Sequence, residues 1–317
     1  MGPEGNLLDR RLLFVTGKGG VGKTTVASAL ALLAAAEGKR TLICQVDASG
    51  NLADFLGVAP LRFTPTPVED RLVAMAMDTE ESLKEYLRLH LKLPLLSRIG
   101  PLAKTFDFIA TAAPGVKEIL TVGKLAYEVR ERNYDLVVVD ASATGHVVGQ
   151  LASPVAMGEL VKVGLVRQQT DWMLKILTDP ATTGVVVVAT PEEMPVNETL
   201  ELLARLDAET DMNVAAVIAN RVLPELFGHG EEVTFRKLET EPGRARLIAA
   251  TSPSVETVLD AAALATDLRR SRSVHLTRLR AELPSTVPLL YVPYLFTRSH
   301  GMRSTRQVSE RLAEELL

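Results

Sequence analysis

The chain has 317 residues, 47% of them hydrophobic, so it can bury a large core, and its length suits one elaborated α/β domain over residues 1–317 better than two independent ones. A formal net charge of −4 leaves the phosphate attraction behind sequence-independent nucleic-acid binding without an obvious source, so no specific nucleic-acid partner is expected. The one cysteine, Cys44, excludes an intrachain disulfide scaffold, no apolar run nears the ~20 residues of a membrane span, and residues 1–11 carry no signal-peptide pattern, so a soluble cytoplasmic protein is expected.

In chain order, the first apolar run, residues 12–16, predicts a strand that feeds Gly17, Lys18, Gly19, Gly20, Val21, Gly22, Lys23, Thr24 and Thr25, and then an Ala/Leu-rich helix. Strand, glycine-rich loop and helix together read as a P-loop: backbone N–H groups curl round phosphate oxygens and the helix N-terminus faces the same anion. Lys23 adds a full charge at the β/γ-phosphates, and Thr24 offers a hydroxyl to Mg2+. Lys18 is a second lysine that a simple P-loop does not need; it is either a solvated loop-edge residue or a cation with a task.

Further strands are predicted over residues 41–46, 136–139, 185–189, 214–219 and 289–292. Their hydrophobicity is continuous rather than alternating, the mark of strands covered on both faces, and the expected fold is a doubly wound, mostly parallel α/β sheet. Ligands of such sheets gather beyond the carboxyl ends of the strands, where Gly17, Asp47, Asp140, Thr190 and Asn220 are all expected. Asp47 and Asp140 either cap the next helix or supply the carboxylates that a P-loop ATPase needs beside Mg2+ and the attacking water; the second reading is favoured. Cys44, inside the strand over residues 41–46, reads as a small buried hydrophobe.

Two helical insertions, approximately 78–116 and 147–183, fall outside the minimal sheet. Leu83, Tyr86, Leu87, His90 and Leu91 share one helical face in the first, followed by Pro94 and apolar residues 95–102; Val161, Leu165, Trp172, Met173, Ile176 and Leu177 make the second strongly apolar. Such stripes are either core or an exposed groove or dimer face. Residues 228–244 read as a mobile surface stretch. The arginines Arg269, Arg270, Arg272, Arg278 and Arg280 read as a solvated helix face rather than an anion-binding surface. The five histidines are scattered and suggest no metal cluster.

The segment from Gly17 to Thr25, with its early Lys18, resembles the deviant Walker A loop of the dimeric ATPases that include Par and Min proteins, nitrogenase iron protein, arsenite-pump ATPases and tail-anchored-protein-targeting ATPases. In that group the early lysine reaches the partner's nucleotide. The switches narrow the resemblance to the arsenite-pump and targeting branch, whose segments look like Asp-Pro-Ala-His-Asn and Asp-Thr-Ala-Pro-Thr-Gly-His. Asp47, Asn51, Asp140, Thr144, Gly145 and His146 match. Pro114-Gly115 with Glu118, Pro191-Glu192 with Glu198-Thr199, and Val217-Ile218-Ala219-Asn220 match as well, so the likeness to bacterial members covers nearly the whole chain.

The resemblance implies ATP and Mg2+ as cofactors and an ATP hydrolase in which Lys18, Lys23 and Asp47 serve catalysis, Asp47 by orienting the attacking water. It implies a magnesium set of Thr24, Asp47 and Asp140, with Asp140 holding the ion's shell. Asn51, Glu192 and Asn220 join the nucleotide contacts, Asn220 at the adenine edge, with Pro293 and Tyr294 walling the base. His146 is read as a hydrogen-bonded loop histidine rather than a general base. Ala48, Gly50, Ala141 and Ala143 depart from the family's Pro, His, Thr and Pro. No Cys-x-x-Cys is present, so the zinc staple of the targeting dimer cannot form, and the arsenite-binding cysteines are missing. The expected partners are a second copy or a paralogue, a hydrophobic protein client and a membrane-protein receptor; the energising subunit of an anion pump and a Par/Min-type positioning ATPase are the alternatives.

Overall fold

A computed structural model of the chain describes residues 6–47, 50–91, 115–160, 163, 165–296 and 301–317. Among them, β1 (Leu12–Gly17), β2 (Thr41–Gln45), β3 (Thr66–Glu69), β4 (Leu72–Ala76), β5 (Leu136–Asp140), β6 (Thr183–Ala189), β7 (Val214–Val222) and β8 (Leu289–Pro293) form one sheet in the order β3-β4-β2-β5-β1-β6-β7-β8. Every neighbouring pair is parallel except β3 with β4. The sheet is α/β and mostly parallel, as the apolar runs require. β3 and β4 had no counterpart among the expected strands. Asn220, expected just past a strand, lies inside β7.

The helices are α1 (Lys23–Ala36), α2 (Leu52–Leu56), α3 (Thr79–Leu91), α4 (Val116–Arg130), α5 (Thr144–Leu160), α6 (Leu165–Leu177), α7 (Glu193–Glu209), α8 (His229–Glu239), α9 (Glu241–Ala250), α10 (Val255–Glu282) and α11 (Met302–Leu316). Successive strand residues point to opposite faces, so each strand feeds two cores. Leu13, Val15, Ile43, Val138 and Val188 pack under α1, α2 and α11. Leu12, Phe14, Leu42, Val139 and Val187 pack under α4, α5 and α7. Cys44 is fully buried in this second core, and burial pushes its thiol up to about 12, in keeping with a structural side chain.

Residues 228–244, expected as a surface stretch, instead form α8 and the start of α9. Thr240 Oγ1 accepts from Gly243 N, capping α9, and Pro242 sits in its first turn, where a missing N–H costs nothing. The arginine cluster lies along α10, and four of its five members are paired: Arg269 with Glu225, Arg270 with Glu232, Arg272 with Glu192 and Arg278 with Glu282. Pro94, residues 95–102, Pro114, Val161 and Ala48 lie outside the described residues, as do the side chains of His90, Leu91 and Leu165. Among the described residues no helix is long and apolar enough to cross a membrane.

Candidate nucleotide site

β1 runs into the glycine-rich loop at the middle of the sheet, and two of its glycines are dictated by close contact. A Cβ on Gly17, whose φ is +147°, would lie 2.2 Å from the carbonyl oxygen of Val188; one on Gly22, at φ +95°, would lie 2.3 Å from Asn220 Nδ2. Gly22 occupies the N-cap of α1 and offers no side-chain cap. The first N–H groups of the helix therefore point, uncapped, at the space where a phosphate fits. Gly19 and Gly20 are exposed, Val21 is buried, and Thr25 is half-buried.

Lys23 is half-buried and its Nζ donates to the backbone oxygen of Lys18 at 3.4 Å. Desolvation lowers its pKa, against the pull of Asp140 and Asp47. Asp140 ends β5, beside Val15 of β1, and accepts a hydrogen bond from Thr24 Oγ1 at 2.8 Å. Burial pushes the Asp140 carboxyl up to about 6, with Asp47 adding to the rise and Thr24 and Lys23 opposing it. Thr16 Oγ1 donates to the backbone oxygen of Ser142 at 2.9 Å, tying the entrance of the P-loop to the segment after Asp140. Asp47 is exposed just beyond β2, and Asn51 holds the N-cap position of α2.

Lys18 does not point into open solvent. Its Nζ donates to Glu198 Oε1 of α7 at 2.6 Å, a half-buried pair on the same chain. Asn220 is 5% exposed; its Nδ2 donates to the backbone oxygen of Val21 at 2.8 Å and its Oδ1 accepts from Arg221 N at 2.9 Å. It thus clamps the P-loop, a contact the sequence did not suggest. Arg221 follows at φ +58°, an uncommon backbone for a residue other than glycine. Glu192 precedes α7 and pairs with Arg272 of α10 at 3.3 Å. Tyr294 N donates to the oxygen of Val222, and the Tyr294 ring lies 4.9 Å from that of Phe296.

The structure therefore gathers Lys18, Lys23, Thr24, Asp47, Asp140 and Asn220 at the loop. Pro293 pairs with Val222 of β7, two residues beyond Asn220, and lines a cavity of about 410 Å3 with Leu223, Arg269, Tyr291 and Arg311. His146 is exposed in the first turn of α5 rather than in a loop. A second, apolar cavity of about 300 Å3 lies between α3, α4 and α6, lined by Leu83, Tyr86, Ile119, Leu120, Trp172 and Met173. Lys124 sits at its edge, paired with Glu85 and Glu128.

A complete P-loop on the central strand of a parallel sheet, with an aspartate on the adjacent strand bonded to the loop's threonine, defines a P-loop nucleoside triphosphatase. The profile of the anion-transporting ATPase family matches residues 10–174 and 164–240, and the chain belongs to that family. It is an ATP hydrolase. ATPase BagA of Mycobacterium tuberculosis is 32% identical, over 96% of this chain and 93% of its own. A Halobacterium salinarum protein named as an arsenical pump-driving ATPase is 29% identical over 69% of this chain and 37% of its own. The ATPase ASNA1 homolog 1 of Paramecium tetraurelia is 35% identical over 47% of this chain and 46% of its own.

Proposed function

We propose that the chain is a magnesium-dependent ATPase that works as a dimer, of two copies or with a paralogue, closing around ATP in the cytoplasm and coupling closure to a hydrophobic protein client delivered to a membrane-protein receptor. The observation that carries this reading is the apolar cavity between α3, α4 and α6. One of its walls connects directly to the site: α4 leads into β5, which ends at Asp140. At about 300 Å3 it holds a few side chains rather than a whole helix, so a client helix needs the walls to part.

In this reading the loop amides and Lys23 hold the β/γ-phosphates, and Lys18 leaves Glu198 to meet the partner's nucleotide, offsetting charge as phosphoryl transfer proceeds. Thr24 and Asp140 fit a magnesium ion: both are hard oxygen donors, 2.8 Å apart, and Thr24 and Lys23 together do not offset the burial of the carboxylate. When bound, the ion neutralises charge on the β/γ-oxygens. Asp47, also assigned to that shell, orients the attacking water. Asn51 and Glu192 contact the nucleotide, Asn220 keeps one N–H and one lone pair for an adenine edge after its two bonds, and Pro293 and Tyr294 wall the base.

The arsenite-pump alternative is disfavoured because the chain's one thiol is buried and held at about 12, so it offers no thiolate ligand. A membrane-surface positioning role is disfavoured because Val308 and Leu312 of α11 are buried in the core beneath α1. The test is light scattering of Asp47→Asn with ATP and magnesium, with ADP, and alone, alongside binding of a fluorescent apolar peptide of about 20 residues. A dimer that takes the peptide in one nucleotide state supports the reading. A monomer in all three states, or peptide binding indifferent to nucleotide, overturns it; wild-type turnover in Asp47→Asn removes Asp47 from the mechanism.

A further inference from the structure

Gln45 is the last residue of β2 and is 7% exposed, an uncommon place for an amide. Its main chain is fixed from both sides: Met77 N donates to its carbonyl at 2.7 Å, and it lies in register with Asp140 of β5. Its side chain then reaches forward into the turn that carries Asp47. Nε2 donates to the backbone oxygen of Asp47 at 2.9 Å, and Oε1 accepts from the backbone N–H of Leu52, the first residue of α2, at 3.0 Å. One buried amide thus bridges both ends of the turn, and both of its polar atoms are satisfied.

Gly50 is the complementary half of this arrangement. A Cβ at position 50 would lie 2.8 Å from Gln45 Cδ, 3.0 Å from Gln45 Cγ and 3.0 Å from the oxygen of Asp47. Any side chain there, including the histidine of the family pattern, collides with the amide. In this chain the Gln45 side chain, coming up from the strand, occupies the space that a side chain at position 50 would need.

We propose that Gln45 is a positioning residue for Asp47: its amide locks the turn so that the Asp47 carboxylate stands at a fixed place beside Lys23 and Asp140. The inference rests on Asp47 orienting the attacking water. Its consequence is a separation of binding from turnover. Phosphate binding belongs to the P-loop, whereas both side-chain hydrogen bonds of Gln45 go to the turn, and a displacement of about 1 Å in a water-orienting group can cost on the order of 100-fold in rate.

The experiment measures kcat, KM for magnesium-ATP and fluorescent-ATP affinity for Gln45→Met, which keeps the bulk and loses both bonds, with Asp47→Asn alongside. The expected result is a fall in kcat of at least about 10-fold with KM and affinity within about twofold of wild type. A cycle adds Gly50→Ala, an exchange that tests the site from the turn side, alone and combined with Gln45→Ala. Gly50→Ala alone should slow turnover, and its loss should shrink when it is combined with Gln45→Ala, because the two Gln45 contacts have gone and only the one with the Asp47 oxygen remains. If Asp47→Asn is slow but Gln45→Met keeps kcat within twofold, the inference fails and the reading of Asp47 stands. It fails equally if kcat and nucleotide affinity drop together, or if the Gly50→Ala loss adds in full to that of Gln45→Ala. If Asp47→Asn turns over like wild type, the reading of Asp47 itself falls and takes the inference with it.

Discussion

Replacing Asp140 with asparagine is expected to stabilise the nucleotide-free chain while abolishing magnesium-dependent turnover. Burial holds this carboxyl at about 6 against an ordinary 3.8. At about 1.36 kcal/mol per pKa unit, the ionised form costs the native state about 3 kcal/mol. Because the native value is raised, the penalty is absent below the unfolded value, grows as pH rises through the native one, and is complete above about pH 7. It is about 3 kcal/mol at pH 8 and about 1.6 kcal/mol at pH 5. Asparagine still accepts from Thr24 and carries no charge, though an unpaired Nδ2 takes back about 1 kcal/mol at every pH. The variant is then more stable than wild type by about 2 kcal/mol at pH 8, and the gap shrinks by about 1.4 kcal/mol at pH 5, a change independent of the amide's own contacts.

Urea unfolding of both proteins in chelator, without nucleotide, at the two pH values measures that gap. A gap that is the same at pH 8 and pH 5 would refute the account, since it would mean that Asp140 ionises in the native chain as it does in the unfolded one. With magnesium-ATP the order reverses: wild type gains stability from binding, and Asp140→Asn gains much less.

Glu198→Gln weakens the hold on Lys18; a half-exposed pair is worth about 1 kcal/mol at most, so nucleotide-driven dimerisation should strengthen up to about fivefold, and a weaker dimer in sedimentation would place Glu198 on the side of assembly instead. Asn220→Ala leaves the buried Val21 carbonyl unpaired and should lower ATP affinity about 10-fold by calorimetry; unchanged affinity would show that the clamp on the P-loop is idle. Leu120→Asp places a charge in the apolar cavity and should remove binding of the apolar peptide while basal turnover stays within about twofold; retained binding would move the client elsewhere.

The parts of the site that were legible in the sequence are the ones set by local geometry. Gly17 and Gly22 answer to close contacts at the loop, and the strands over residues 12–16, 136–139 and 185–189 are continuous apolar runs buried on both faces, so pattern and structure coincide. β3 escaped because it sits at the sheet edge, half exposed, with Pro67 and Glu69 in four residues. α8 and α9 escaped because charge and glycine looked like a loop. Thr240 followed by Pro242 is nonetheless a helix-start signal, and Glu232 with Arg236 is a helical i,i+4 pair, both present in the sequence. The Lys18–Glu198 and Asn220–Val21 contacts join residues 180 and 199 positions apart, and spacing carries no trace of them.

The Lys18 contact falls on the start of α7, where polar contacts from α10 also gather. Glu198 holds Lys18 from the P-loop side, while Glu192 takes Arg272 and Asn197 takes Arg278 from α10. α10 is 28 residues long and buries only Leu259 and Leu279, so its attachment to the sheet depends unusually on such polar contacts. An element held by a few partly exposed pairs shifts at small cost, unlike one held by a packed core. Departure of Lys18 toward a second nucleotide would remove its restraint on α7 and leave Glu198 without its cation, on the same helix start that holds α10. In that arrangement the position of α10 reports whether Lys18 is engaged at home or abroad, and a spin-label pair on α7 and α10 that reads the same distance with and without magnesium-ATP would rule the coupling out.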